Sequence, residues 1–134
     1  MGKKSRTKGA AAELEVRNLL REHGPFPDAD RDLEQVRGTD NGRDLIGCDP
    51  WCIQVKRRAK MTRGVILEGL EEAARTAEEP LYSACIHRGD REPWMVTCFL
   101  WELIWLAGGR VDASMSIPVT MTLEDWCAMV WGRQ

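Results

Sequence analysis

A mixed α/β domain built around a small central sheet, flanked by helices, is the fold class this sequence predicts. Three patterns predict it. An apolar stripe at helical period opens the chain, runs of alternating apolar and polar residues fill its middle, and a second helical pattern separates two pairs of such runs. With 134 residues, 43% of them hydrophobic and 30% charged, there is material for one core and not two.

Ala12, Val16, Leu19 and Leu20 fall at i, i+4, i+7 and i+8, predicting a helix over about 9–22 that stops at His23-Gly24-Pro25. Successive residues turn by ~100°, so Glu13 and Glu15 lie on opposite edges of the stripe, and either carboxylate can lean over a buried site. Residues 24–43 are rich in Gly, Pro and Asp and predict a loop, with a short strand around 34–37. Strands are expected over 43–47 and 51–57, joined by the turn Cys48-Asp49-Pro50. In the second of these, Trp51, Ile53 and Val55 point to the core, while Cys52, Gln54 and Lys56 point the other way. An amide beside an ammonium is an arrangement that a plain core strand disfavours.

The basic run from Lys56 to Arg63 leads into a helix expected over about 65–77. Its acids, Glu68, Glu71, Glu72, Glu78 and Glu79, are expected on a solvated outer face. A strand pair, 81–87 and 94–99, brackets the loop 88–93, and a short helix over 100–107 ends at Gly108-Gly109. The last helix, about 123–131, opens with Thr122 and Asp125 in capping-box spacing. The expected order is α-β-β-β-α-β-β-α-α. It forms a single domain in which residues 1–8 are a basic tail and residues 99–134 an extension packed on the core.

The formal charge of −2 conceals a division along the chain. Residues 1–63 carry 14 Lys and Arg against 10 Asp and Glu, whereas residues 64–134 carry 5 against 11. The basic half is therefore the one suited to an anionic partner. A membrane span is not expected, because the most apolar stretch, 95–107, contains Glu102 and falls short of the ~20 residues a span needs. No signal-peptide core follows the basic N-terminus. Cys48, Cys52, Cys85, Cys98 and Cys127 are odd in number and form no CxxC, which suits free thiols in a reducing cytoplasm. A zinc site from Cys48, Cys52 and His87 would lack a second ligand pair. Six tryptophans, five of them at or after Trp94, fit either core packing or a dimer interface, with Trp101 and Trp105 an i, i+4 pair.

The chemistry-bearing residues are Glu13, Asp44 and the run Gln54-Val55-Lys56. In a hairpin, Asp44 and the Gln54/Lys56 pair can share one face. Oxygen ligands beside a lysine are what metal-assisted phosphodiester hydrolysis requires: hard oxygens hold Mg²⁺, the metal activates water, and lysine orients the nucleophile or stabilises the crowded phosphorus.

The line Lys8-Gly9-Ala10-Ala11-Ala12-Glu13, then Gly42-Arg43-Asp44-Leu45-Ile46-Gly47, then Ile53-Gln54-Val55-Lys56, resembles the PD-(D/E)xK nuclease superfamily. Within it, the archaeal-type Holliday junction resolvases, also carried by some viruses, are the nearest pattern, over roughly residues 3–98. Arg43 stands where their motif usually has Pro, and Gln54 where it has an acid. The resemblance implies a restriction-endonuclease-like fold and a Mg²⁺-dependent endonuclease, with Mn²⁺ substituting. It implies Glu13, Asp44, Gln54 and Val55 as metal ligands, Lys56 as the catalytic lysine, and Thr39 as the small hydroxyl residue before the Asp strand. With the acid replaced by Gln54, Glu13 and Asp44 together supply −2, which balances one divalent ion.

Lys3, Lys4, Arg6, Lys8, Arg37, Arg43, Arg57, Arg58, Lys60 and Arg63 are the expected DNA contacts. The implied partner is branched DNA, four-way junctions above all, bound by a homodimer in the cytoplasm of a cell or of a viral host. No organic cofactor is expected. Two other readings stay open: another structure-specific or restriction-type nuclease on the same fold, and a non-catalytic DNA-binding module with a degenerate site.

Overall fold

The opening helix is longer than its apolar stripe requires. In the computed structural model, which describes residues 3–31, 44–76 and 82–131, α1 runs Lys3–His23. The expected basic tail is therefore helical from Lys3. Ala10–Ala12 and the lysines and arginines before them are good helix formers, and extending a nucleated helix costs little per residue. Then follow β1 (Asp30–Arg31), β2 (Leu45–Ile46), β3 (Trp51–Arg58), α2 (Arg63–Thr76), β4 (Tyr82–Gly89), β5 (Met95–Phe99), α3 (Leu100–Leu106), a 3₁₀ turn (Ala113–Met115), β6 (Pro118–Thr122) and α4 (Leu123–Trp131). No helix among the described residues is long and apolar enough to cross a membrane.

The fold is α/β, with a four-stranded mixed sheet in the order β3-β4-β5-β6. β3 and β4 are parallel, Gln54 opposite Cys85 and Lys56 opposite His87, with α2 as the crossover that parallel pairing demands. The other two pairings are antiparallel. Two strands lie outside the expected order. β6 begins on Pro118, which an edge strand tolerates, and its Val119 and Met121 pack against the core. β1 pairs with β2 in a separate two-stranded ribbon. The strand expected around 34–37 lies outside the described residues.

The sheet divides the interior unequally. On one face Ile53, Ala84, Ile86, Val96 and Cys98 meet Ala12, Val16 and Leu20 of α1 and Leu123, Trp126 and Val130 of α4, forming the main core. Trp51 and Trp126 pack edge to face, ring centroids 5.0 Å apart, and Phe26 lies 6.0 Å from Trp126. Trp94 is also buried, whereas Trp105 is 56% exposed, so the tryptophans serve the core in part. The other face, covered by α2 with its buried Leu70 and Ala73, carries Cys52 and Cys85 together with the polar Gln54, Lys56, Ser83, His87 and Thr97. The polar residues that the alternation in β3 set apart thus lie in this thinner layer.

Glu102 closes the far end. β4–β5 pairing starts at Ala84, leaving the Ser83 N–H beyond it; the Glu102 carboxylate accepts that N–H at 2.5 Å and the Phe99 N–H at 3.4 Å. Glu102 is fully buried, and burial raises its carboxyl to about 7 against the pull of those two donors. Replacing Glu102 with Ala leaves a cavity and two unsatisfied donors, so urea denaturation should register a loss of about 3 kcal/mol. A loss below about 1 kcal/mol would show that the carboxylate does not tie β4 to α3.

Candidate active site at the open edge of β3

Among the described residues β3 has a strand partner on one side only, and alternate residues turn their main-chain groups outward on the other. Asp44 docks on that open edge. Its N–H donates to the Ile53 carbonyl at 3.1 Å, and its carboxylate accepts the Val55 N–H at 2.7 Å. The Val55 carbonyl, on the same side of the strand as its N–H, faces the same edge. Gly47 makes the approach possible: its φ is +76°, and a side chain there would collide with the Asp28 carbonyl. The chain thereby doubles back so that Leu45 and Ile46 pair with Arg31 and Asp30.

The expected hairpin of 43–47 on 51–57 is therefore corrected. β2 gives its ladder to β1, and Asp44 alone of the described residues before the turn takes the edge of β3. Its carboxylate sits on that edge and not on the Gln54/Lys56 face.

Glu13 comes from α1 on the core side, its side chain 13% exposed. Burial, and then the charge of Asp44, push its carboxyl up to about 7; Arg31, 3.5 Å away, opposes both. Arg31 carries no sequence signal, being one arginine in a Gly-, Pro- and Asp-rich segment. Among the described residues its buried Nε has no hydrogen-bond partner. Glu15 serves a different purpose: it accepts from Trp94 Nε1 at 2.9 Å and from Arg88 at 3.0 Å, tying α1 to the sheet.

From the α2 side, Lys56 places its ammonium 3.4 Å from both oxygens of Glu72. Glu72 is thus removed from the expected solvated face. It belongs to the inward stripe Val65-Gly69-Glu72-Thr76, a helical period that could have identified it. Glu68 and Glu71 are exposed as expected, while Glu78 and Glu79 lie outside the described residues. Gln54 is 3% exposed and stands opposite Cys85 in the sheet. The neighbouring Cys85 thiol is pushed up to about 12 by burial; Lys56 pulls it down, and Asp44 and Glu72 push it up. These charges, together with that of Arg58, bear on one point of the sheet, beside Gln54.

Of the expected DNA contacts, Arg58, Lys60 and Arg63 are exposed, while Arg57 pairs with Asp90 at 3.3 Å. The side chains of Lys3, Lys4, Arg6 and Lys8, and the whole of Arg37, Thr39 and Arg43, lie outside the described residues. The zinc alternative has no geometry behind it. Cys48 bonds the Ile46 carbonyl, Cys52 contacts Thr76, and His87, kept neutral by burial with a pKa near 4, bonds Thr97. All five cysteines are buried, and none is in a disulfide. Among the described residues no three His, Cys, Asp or Glu side chains cluster to hold a metal. The candidate set instead offers two carboxylates, the Gln54 amide and the Val55 carbonyl.

Comparison with protein-family models, with curated proteins and with solved structures returned no match for this chain.

The raised Glu13 carboxyl has a consequence for stability. Its proton is held in the folded state up to about 7 but lost near 4.5 once unfolded, so this group lowers stability as pH rises between those values. In Glu13→Gln that loss disappears. Relative to wild type, the variant should gain about 2–3 kcal/mol between pH 4.5 and pH 8. Chemical denaturation at the two pH values measures it; an equal difference at both would mean that Glu13 is not strained by its surroundings.

Proposed function

We propose that this protein is a metal-dependent DNA endonuclease of restriction-endonuclease-like fold, most specifically a structure-specific enzyme that cuts four-way junctions. The single observation that carries this reading is Asp44, whose carboxylate accepts the Val55 N–H at 2.7 Å between Gln54 and Lys56 on β3, with a second, largely buried carboxyl, Glu13, close enough for the two to repel. A divalent cation between them would relieve that repulsion, which is how hard cations select carboxylate sites. For one such ion Glu13 and Asp44 would supply the charge, and Gln54 and the Val55 carbonyl would supply neutral oxygens. Bound there, Mg²⁺ would activate water and offset the charge of a phosphate.

The chain's own residues do the rest. Asp44 is fixed by two main-chain hydrogen bonds, so its carboxylate holds its place when a phosphate arrives. Lys56 offers an ammonium on the α2 side for the nucleophile or for a phosphate oxygen. Arg31 balances Glu13 and is a second cation within reach of an anionic backbone. Arg58, Lys60 and Arg63 continue the positive surface past the end of β3, where phosphate contacts would fix the DNA without reading its sequence. Paired nicks across a symmetric junction call for a homodimer. Trp105 and Ile117, 56% and 52% exposed, offer apolar surface for a second copy to cover.

The test is incubation with a synthetic four-way junction, a linear duplex and a flap, with and without Mg²⁺. The proposal expects Mg²⁺-dependent junction cutting that Asp44→Asn lowers by about 100-fold or more while binding persists. Binding without cutting would make the protein a DNA-binding module. Equal cutting of all three substrates would make it a nuclease of another type, and undiminished cutting by Asp44→Asn would displace the site.

A further inference from the structure

Lys56 is held more closely than a lysine near a sheet edge needs to be, and two residues of α2 hold it. Gly69 occupies the middle of a helix, where alanine is ordinarily the better residue. Here a Cβ would come 2.6 Å from Cys85 Sγ, 3.1 Å from Lys56 Cγ and 3.3 Å from Lys56 Cε. The missing side chain is the slot in which the aliphatic stem of Lys56 lies. Three residues on, along the same face of the helix, Glu72 places both carboxylate oxygens 3.4 Å from the ammonium. Stem and head are therefore fixed by one turn of one helix.

An exposed lysine–glutamate pair contributes little, because ordering two long side chains offsets the attraction. This pair is shielded, with Lys56 15% and Glu72 28% exposed. Its geometry also runs against convenience, since it requires a glycine where helix formation disfavours one. We infer that Gly69 and Glu72 form a clamp that sets the Lys56 ammonium in a fixed position relative to Asp44, so that Glu72 is a positioning residue for phosphodiester cleavage. The inference rests on the nuclease reading of Lys56 and adds to it a residue that need not touch DNA or metal.

The test joins kinetics to a direct view of the ammonium. Steady-state cleavage of a four-way junction in Mg²⁺ is compared for wild type, Glu72→Gln and Glu72→Asp. In parallel, the side-chain ammonium signals of the five lysines are recorded by ¹⁵N NMR, with Lys56 identified by its loss in Lys56→Gln. A displaced catalytic group costs up to about 100-fold, so Glu72→Gln should lose about 10- to 100-fold in kcat with KM within about twofold. Glu72→Asp should recover part of that loss. The slowly exchanging Lys56 signal should be present in wild type and lost in Glu72→Gln. Gly69→Ala, which keeps Glu72 but fills the slot, should shift the same signal.

Unchanged kcat in Glu72→Gln overturns the positioning role, even where the Lys56 signal moves. A Lys56 signal that is absent from wild type, or indifferent to Glu72→Gln, overturns the clamp itself. Wild type that cuts no DNA overturns the nuclease reading; the clamp is then decided by the ammonium signal alone.

Discussion

Everything proposed for this molecule depends on one aspartate docked on one open strand edge. Asp44 donates its N–H to Ile53 and accepts the N–H of Val55, so it is bonded at both ends to a strand it does not extend. Two features allow this. Among the described residues β3 has no strand partner on that edge, and Gly47 turns the chain away at once so that β2 pairs elsewhere. An unpaired edge is ordinarily a liability. Here it is blunted by a carboxylate, and that carboxylate is left between the two sides of the sheet.

That position explains the distribution of charge. Glu13 approaches from the core side and feels Asp44 strongly enough, on top of its own burial, to hold a proton to about 7. Lys56 approaches from the α2 side with Glu72 as its counter-ion. Arg31 and Glu72 each attend one of the two groups that Asp44 sits between. Neither the main core nor the thin polar layer would by itself assemble such a set. Assembly requires an edge that both sides can reach, which is why the apolar majority of residues lies on one face and Gln54, Lys56 and His87 lie on the other.

The parts of this arrangement that sequence revealed are those governed by local periodicity. α4 occupies Leu123–Trp131 as its apolar stripe and the Thr122 cap require, the Asp125 N–H donating to Thr122 Oγ1 at 3.1 Å. The alternation in β3 separated Ile53 from Gln54 correctly, and α2 and the β4–β5 pair lie within a few residues of their expected positions. What escaped was non-local. β1 is two residues with no pattern of their own, and the parallel register of β3 on β4 depends on a helix packing across them. Asp44 reached the edge of β3 and not a face of it because its hairpin was displaced by β1, an element the sequence does not announce. Arg31 was invisible for the same reason. Glu72 was not: its spacing from Gly69 and Thr76 marks an inward face, but an acid in an acidic helix invites assignment to solvent.

The most direct measurement is the anomalous scattering of a crystal equilibrated with Mn²⁺, which separates the metal from every other atom. One strong peak is expected between the carboxylates of Glu13 and Asp44, with the Gln54 amide oxygen and the Val55 carbonyl within about 2.0–2.4 Å of it, the range of hard-cation oxygen ligands. A peak elsewhere, or Glu13 still paired with Arg31 and no peak at saturating Mn²⁺, would contradict it.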